Sequence, residues 1–427
     1  MTKELVFAKI TLIRGKLNLL LNYLIIAYAF VIPFQYYITK QFVEILFVLW
    51  IFTVNYKDVL SAIKINRVFQ LVLALSALIF LSYLWSGSYP NTVYGDFNIF
   101  SKTYSIYFLI PIIIIVTVLK AKYIPWLINS FLFSMFINTI VSYGIFFELW
   151  STVGFLSSPS NPIPFQISHI TYSVFVAFTI LLTIYKLISE NNKYIKFLYL
   201  IFFIVLTINL FMSSGRTGQL SLILSLLTIM IVYNRMDLKK ILISLFLIIG
   251  VLFFAYKNIN TFNARINYSV EDINTLLFSK NKKDSSIGDR VLAFHAFSYI
   301  VEPKYLLFGV GMGEKENYIM TRLEETKYPY KIKNFFNYGR LHNMFLEIII
   351  SNGIVGLFLL LMLFYYIFSM FLNDKQVKFI AYSISSIFFF VAIPGDIFFF
   401  YEFMLLFGLF LSIVVVQYNF EQNEQVN

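Results

Sequence analysis

Long apolar runs dominate the sequence, and each is about as long as a helix that crosses a membrane. Crossing the hydrocarbon core takes roughly 20 helical residues, and 59% of the 427 residues are hydrophobic. The runs are continuous rather than alternating, which excludes a closed β-barrel. The pattern predicts an all-α polytopic membrane protein with about twelve spans. They are Leu17–Phe34, Gln41–Tyr56, Val68–Trp85, Tyr104–Leu119, Ile124–Trp150, His169–Ile188, Ile195–Met212, Thr217–Tyr233, Ile241–Tyr256, Gly353–Leu372, Lys378–Ile393 and Phe398–Gln417.

Basic residues fill every second short connection between the predicted spans, beginning with Arg14 and Lys16 ahead of the first one. Cytoplasmic loops carry an excess of lysine and arginine, so both termini are predicted to lie in the cytoplasm. No small-residue cleavage site follows the first span, which is therefore expected to stay as an anchor. The same topology accounts for the net charge of +11, and no nucleic-acid partner is expected.

Cysteine is absent, and histidine occurs only at His169, His295 and His342. Disulfides, thiolate catalysis and cysteine-ligated metals are therefore excluded. A multi-histidine metal site is not expected either, and the sequence predicts no cofactor. All three histidines fall on the outer side of the predicted topology.

One long polar loop divides the predicted spans. Spans one to nine occupy residues 1–256, the outer loop residues 257–340, the last three spans residues 341–418 and a cytoplasmic tail residues 419–427. A loop of this length is generally functional or disordered. Apolar spacing in Val291–Ile300, opened by Asp289, predicts an amphipathic helix inside the loop. The lysine- and serine-rich residues Asn281–Ser286 predict a flexible tip.

A lone arginine, Arg216, lies in a very short outer connection just before the eighth span. A helix N-terminus and a guanidinium together attract anions, and phosphate suits them best. Gly215 and Gly218, on either side of Arg216 and Thr217, are expected to let the backbone approach such a ligand. The alternative is an arginine that only snorkels from a helix end.

Two further residues with suitable chemistry lie in or next to the outer loop. Arg290 begins the predicted loop helix and would add a second cation, unless it is a surface residue paired with an acid. His342 lies at the membrane face, where a neutral imidazole could take a proton from a hydroxyl; a satisfied interfacial histidine is the alternative. Neighbours that could join or orient this site are His169, Arg340, Asn343 and Glu347.

Other polar motifs predict no separate site. The glycine-rich Phe308–Gly313 lacks the strand and helix context of a nucleotide site, and it predicts a tight turn that packs the loop helix. Asp96, Asp396 and Glu402 are outer-side acids, but no Asp-Xaa-Asp pair suggests a divalent cation. The sequence also shows no internal repeat of the kind found in many transporters.

These motifs, in this order, resemble the O-antigen ligase and polymerase superfamily. The resemblance covers about Leu210 to Leu372 in residue detail and the whole chain in span count. The motifs that carry it are Ser213-Ser214-Gly215-Arg216-Thr217-Gly218, Asp289-Arg290, Phe308-Gly309-Val310-Gly311, His342-Asn343 with Leu346, and Asn352-Gly353-Ile354-Val355-Gly356.

The resemblance implies a glycosyltransferase of GT-C-like architecture in the bacterial inner membrane, with its site on the periplasmic face. Members take a glycan from undecaprenyl diphosphate and transfer it to a sugar hydroxyl, with inversion and without metal or nucleotide. Carried over to this sequence, Arg216 and Arg290 would bind the diphosphate, and His342 would be the general base.

The acceptor is less constrained than the reaction. The single large outer loop, late in the chain, favours a ligase that uses lipid A-core, and the alternative is a polymerase of lipid-linked repeat units. A glycan-lipid transporter is a third possibility. Transporters place polar groups near the middle of the bilayer, however, and the candidate residues here lie at the outer face.

Overall fold

The structure is a computed structural model of the chain. It describes residues 3–87, 95–150, 157–165, 168–233, 286–328, 340–398 and 400–426, with short pieces between residues 239 and 271. In these parts the regular elements are helices, apart from an isolated β-bridge between Ser158 and Asn161. The predicted all-helical fold is therefore confirmed.

Fifteen α-helices lie in the described ranges that cover most of the chain. Polar residues placed between the apolar runs cap several of them, among them Asn66, Ser168, Asn192 and Asp374. The helices are α1 (Lys3–Val31), α2 (Tyr36–Thr53), α3 (Tyr56–Ile65), α4 (Arg67–Leu81), α5 (Phe97–Tyr104), α6 (Ile110–Val118), α7 (Ile124–Phe146), α8 (His169–Ser189), α9 (Lys193–Met212), α10 (Arg216–Thr228), α11 (Ser286–Ile300), α12 (Lys315–Glu325), α13 (Met344–Ser369), α14 (Lys375–Ala392) and α15 (Tyr401–Val426).

Among the residues described, nine helical segments are long and apolar enough to cross a membrane. They correspond to predicted spans three to eight and ten to twelve. Helices α1 and α2 cover the first two predicted spans but are not among the nine, and the ninth, Ile241–Tyr256, lies mostly outside the described residues. The chain is a multi-pass membrane protein, and the total of twelve spans stays a prediction.

The fourth span begins earlier than the sequence predicted. Its helical segment runs over Phe97–Val118 rather than from Tyr104, because the carboxylate of Asp96 accepts the N–H groups of Asn98 and Ile99. A π-helical stretch at Ser105–Leu109 then joins α5 to α6. The outer-side acid Asp96 therefore acts as a helix N-cap.

The spans pack around α15, which contacts α6 and α14, while α9 lies at the edge against α8. Of the nine described spans, α15 has the most buried window, at 78%, and α9 the least, at 28%. A helix that is apolar all round and half-exposed suits a position facing lipid. The centre of the bundle is therefore protein, and the exposed apolar face of α9 is available to lipid.

Helix α13 is interrupted at Gly353, whose φ of 67° and ψ of −166° are not helical. The chain from Leu306 to Gly311 runs alongside this break and replaces the missing backbone bonds. Val310 and Gly311 donate to the carbonyls of Ile350 and Ser351, while Ile354 and Val355 donate to Leu306 and Leu307, at 2.8–3.3 Å. The Leu306–Gly311 segment thus satisfies the break, as buried backbone requires.

Two glycines make this contact possible. A Cβ at position 309 would lie 2.3 Å from the carbonyl carbon of Ser351, and one at 353 would lie 2.2 Å from the carbonyl oxygen of Leu307. Both residues also have positive φ, which glycine adopts without strain. The predicted tight turn at Phe308–Gly313 therefore packs on α13 rather than only on the loop helix.

Helices α11 and α12 pack on each other and complete a small core of their own between the membrane-spanning segments α10 and α13. Ala293, Ala296 and Ile300 line the buried face of α11, and Ile319 lies opposite on α12. This confirms an amphipathic helix in the loop, although it begins at Ser286, ahead of Asp289. The predicted tip at Asn281–Ser286 lies, except for Ser286, outside the described residues.

Candidate functional site

His342 lies just before α13, in a backbone conformation that side-chain-bearing residues seldom adopt. Its φ is 48°, in the left-handed region, where a residue other than glycine is typically held by its surroundings. The next residue, Asn343, caps α13: its Oδ1 accepts from Leu346 N at 3.0 Å, and its Nδ2 donates to the carbonyl of Ile393 at 2.8 Å. Asn343 therefore anchors His342 between two membrane helices.

The backbone of His342 is bound by a buried carboxylate one turn into α13. Oε1 of Glu347 accepts from Leu341 N at 2.7 Å and from His342 N at 3.2 Å. Its other oxygen, Oε2, accepts from Nζ of Lys315, and Lys315 is also 3.9 Å from Asp396. Both Lys315 and Glu347 are almost fully buried, so the charges are shielded from water.

A second buried ion pair involves Arg340, which lies two residues before His342. Nε of Arg340 donates to Oε1 of Glu316 at 2.9 Å, and the Glu316 side chain is only 3% exposed. The sequence predicted Arg340 as a possible member of the site. In the structure its guanidinium is engaged with α12, next to Lys315.

The surroundings of His342 favour its neutral form. Burial is the main cause that lowers the pKa of His342, and the charges of Arg340, Arg290 and Lys315 lower it further, against Glu347, which raises it. An imidazole with a lowered pKa is unprotonated near neutral pH and can accept a proton. The structure thus brings Arg290 on α11 and Arg340 close enough to act on His342.

Arg216 lies at the start of α10. It is partly buried, and among the described residues its buried Nη1 has no hydrogen-bond partner. Such an atom is costly unless something satisfies it. Arg216 is not among the charges that shift the pKa of His342.

The glycines beside Arg216 serve a helix contact. A Cβ on Gly215 would lie 2.1 Å from Oγ of Ser173 on α8, and one on Gly218 would lie 2.3 Å from the backbone of Ser173. The N–H of Gly218 donates to that same hydroxyl at 3.2 Å. Close approach here is to α8, which differs from the ligand approach that the sequence predicted. Thr217, also predicted at the site, is buried.

His169 lies next to this contact as the first residue of α8. Its carbonyl oxygen would be 2.5 Å from a Cβ on Gly215, which brings the predicted candidate His169 to the beginning of α10. The connection before Arg216 is held by Asn161, whose Oδ1 accepts from Ser214 N at 2.8 Å. The backbone of His169 therefore lies beside the start of α10.

An apolar groove opens beside Arg216. Its volume is about 530 Å³, and its walls come from the end of α9, from α10 and from short pieces between residues 249 and 266. Arg216 and Gln219 are the polar side chains on a wall otherwise made of aliphatic and aromatic groups. The lining residues are Phe211, Arg216, Gln219, Leu220, Ile223, Ile249, Phe253, Tyr256, Phe262 and Ile266.

The sequence pattern did not identify the buried charged residues near His342. Lys315 and Glu316 follow the glycine-rich turn in a run of charges, a pattern typical of a solvated loop, and nothing local marks them as buried. Asp396 was considered only as a possible metal ligand. The described residues contain no group of three or more histidine, cysteine or acidic side chains that could hold a metal ion.

Comparison with known proteins concerns the second half of the chain most directly. Residues 200–361 match the family model described as O-antigen ligase. The chain is also similar to an uncharacterized protein of Haemophilus influenzae, with 26% identity over 239 residues, which is 53% of this chain and 58% of that relative. The matched family range contains Arg216, Arg290 and His342, and the match confirms the resemblance found in the sequence.

Proposed function

Because residues 200–361 belong to the O-antigen ligase family, we propose that this membrane protein transfers a glycan from undecaprenyl diphosphate to a sugar hydroxyl of lipid A-core. The family assigns the coarser activity, a membrane glycosyltransferase of the O-antigen ligase or polymerase type. The donor, the acceptor and a site on the periplasmic face of the bacterial inner membrane are parts of the proposal.

The observation that carries the proposal is a buried, unsatisfied guanidinium nitrogen at an apolar groove. Among the residues that the structure describes, Nη1 of Arg216 has no hydrogen-bond partner, and the groove of about 530 Å³ beside it is almost entirely apolar. A polyprenyl diphosphate has matching parts, since its phosphates pair with a guanidinium and its chain is hydrocarbon. We assign the lipid chain to this groove and the diphosphate to Arg216.

Arg290 is assigned to the glycan side of the same diphosphate. It lies on α11, close enough to His342 for its charge to lower the pKa of that residue. Negative charge grows on the leaving diphosphate as the bond to the sugar breaks, and arginines aimed at it stabilise the transition state more than the ground state. Together Arg216 and Arg290 would span the two phosphates.

His342 is assigned as the general base. Its lowered pKa, caused chiefly by burial, keeps the imidazole neutral, and a positioned base accelerates such reactions by about 10²- to 10⁴-fold. The acceptor hydroxyl oxygen forms a bond to the anomeric carbon of the donor sugar while the carbon–oxygen bond to the diphosphate breaks. The hydroxyl proton passes to His342, the bonding pair leaves with undecaprenyl diphosphate, and the anomeric centre is inverted.

A reconstituted transfer assay tests this function. Purified protein in liposomes is mixed with undecaprenyl-diphosphate-linked glycan and lipid A-core, with EDTA and without nucleotide, and products are separated by size. Lipid A-core that carries the glycan is the expected product. A ladder of lengthened donor with unchanged core would instead identify the polymerase, and donor moved across the bilayer without any transfer would identify a transporter.

A further inference from the structure

The two residues that begin α12 each bind a charged residue, and these two partners flank His342. Lys315 binds Glu347, and Glu316 binds Arg340. We propose that these two ion pairs, the charge clamp, position His342 for its proton transfer. The inference rests on the proposed function, because it assigns positioning residues to the base of that reaction.

The clamp acts through the backbone of His342. The successive N–H groups of Leu341 and His342 both point at Oε1 of Glu347. Consecutive N–H groups in mixed right- and left-handed conformations form a concavity that binds an anion, and here the anion is a carboxylate of the same chain. The bound carboxylate compensates for the strained φ of His342 and fixes the direction of its side chain.

Lys315 compensates the buried charge of Glu347. Glu347 is 3% exposed and Lys315 is 1% exposed, and a buried carboxylate without a cationic partner is costly. Loss of the lysine would therefore destabilise the position of the carboxylate that accepts the N–H groups of Leu341 and His342. Asp396, 3.9 Å from Lys315, ties the same lysine to the connection between α14 and α15.

Substrate does not reach the clamp directly. The space beside Lys315, Glu347 and Asp396 measures about 10 Å³, which is enough for at most about one water molecule. Lys315 and Glu347 therefore affect the reaction through His342, and they are positioning residues. The glycan and the acceptor meet His342 from its exposed side.

Kinetics on three variants separate positioning from binding. Lys315→Met and Glu347→Gln are expected to lower kcat about 10- to 100-fold, the cost of misplacing a reacting group by about 1 Å, with KM for the lipid-linked donor within about twofold of wild type. Lys304→Met removes an exposed lysine of the same loop, paired with Glu302 at 3.0 Å, and should behave as wild type. A fall in kcat for all three, or for none, contradicts the clamp.

The pKa of His342 supplies a readout that does not depend on transfer. Diethylpyrocarbonate reacts with neutral imidazole, so its rate against pH reports this pKa in a His169→Gln/His295→Gln background. The charges that face His342 are Glu347 from α13, Lys315 from α12, Arg290 from α11 and Arg340. Lys315→Met should raise the pKa and Glu347→Gln should lower it. Shifts in the same direction, or no shifts, would contradict the inference.

A charge exchange separates the ion pair from the backbone contact. In Lys315→Glu/Glu347→Lys the two charges can still pair, but a lysine at 347 cannot accept the N–H groups of Leu341 and His342. The unfolding temperature in detergent should recover relative to the single variants, whereas kcat should not. Full recovery of kcat would mean that the pair only stabilises the fold. If the exchanged protein does not fold, the opposed pKa shifts of the single variants decide.

Failure of the clamp and failure of the proposed function have different signatures. A wild-type protein that transfers no glycan to core or to donor rejects the proposed function, while the pKa shifts at His342 still test the clamp. A wild-type protein that transfers glycan, with Lys315→Met and Glu347→Gln variants of unchanged kcat and unchanged His342 pKa, rejects only the clamp.

Discussion

The residues around Arg216 and those around His342 treat charge in opposite ways. Arg216 lies at the beginning of a membrane helix, next to an apolar groove, and its buried Nη1 has no hydrogen-bond partner among the described residues. Near His342, two buried ion pairs and an asparagine cap bind the backbone and its neighbours. An unsatisfied cation is suited to bind a ligand, whereas a fully bonded framework is suited to hold one side chain still. In the proposed function, binding and proton transfer would therefore depend on different kinds of contact.

The largest expected effect is the loss of the base. His342→Ala should lower the rate of glycan transfer by about 10²- to 10⁴-fold, while binding of undecaprenyl diphosphate to the protein, measured by quenching of tryptophan fluorescence, stays near wild type. His295→Gln, which removes an exposed histidine of the loop helix, is the control. A matching loss of lipid binding in His342→Ala would break the distinction between the two regions.

Removal of the cation at the groove should weaken lipid binding, which the loss of His342 should leave near wild type. A charge-assisted hydrogen bond contributes about 1.5–3 kcal/mol, so Arg216→Met should weaken the use of the lipid-linked donor by about 10- to 150-fold in kcat/KM. Undecaprenyl diphosphate binding should fall with it. Arg67→Met is a matched control, because Arg67 also begins a span but its Nη1 donates to Tyr366 at 3.0 Å. Wild-type donor affinity in Arg216→Met would remove Arg216 from the binding site.

The close contact between the Leu306–Gly311 segment and the break in α13 at Gly353 should stabilise the fold. In Gly353→Ala the positive φ alone costs about 1–3 kcal/mol, and the new Cβ would overlap Leu307 O at 2.2 Å. The unfolding temperature in detergent should drop, and transfer should drop with it, because this contact carries α12 to its place beside His342. Gly15→Ala, at a helical glycine with open space around it, should leave both unchanged. Equal stability of the two variants would refute the contact.

The smallest expected effect is a shift of the pH dependence of the transfer rate toward lower pH. Burial and the nearby cations lower the pKa of His342, so its basic form should persist below the ordinary histidine value of about 6.5. The transfer rate of the wild-type protein, measured from pH 5 to 8, should therefore reach half of its plateau below pH 6.5. Arg290→Gln removes one cation and should move that midpoint upward. A wild-type midpoint above pH 6.5 would argue against His342 as the buried base.

The fold was largely predictable because span length is a local property. Nine of the predicted spans have a counterpart among the described helices that are long and apolar enough to cross a membrane, since any sufficiently long apolar run becomes a helix in lipid. The beginning of the fourth span was misplaced because the cap at Asp96 extends it through polar residues. The break at Gly353 was not predicted, because it exists only where the Leu306–Gly311 segment supplies replacement hydrogen bonds.

The three principal candidate residues were identified from the sequence and their roles stay predictions, whereas the residues that support them were not identified. Arg216, Arg290 and His342 stood out through position and motif, and all three lie in the family-matched range. Lys315 and Glu316 carry no such local signal, since their burial depends on partners at Glu347 and Arg340 that are 32 and 24 residues away. Nothing in the sequence reveals that Ser173 lies beside Gly215 and Gly218, and their contact with a ligand stays a prediction.

By itself, the sequence determined that this is a helical multi-pass membrane protein and which residue types could bind a diphosphate and move a proton. Those properties follow from hydrophobic length and from side-chain chemistry, both of which are written in the sequence. Only the tertiary structure decided that Arg216 borders an apolar groove of about 530 Å³ and that the charges of Arg290 and Arg340 lie near His342. It also decided that Glu347, paired with Lys315, accepts the backbone N–H group of His342. Such arrangements depend on contacts between distant segments, and burial changes the energy of a charge far more than sequence neighbours do.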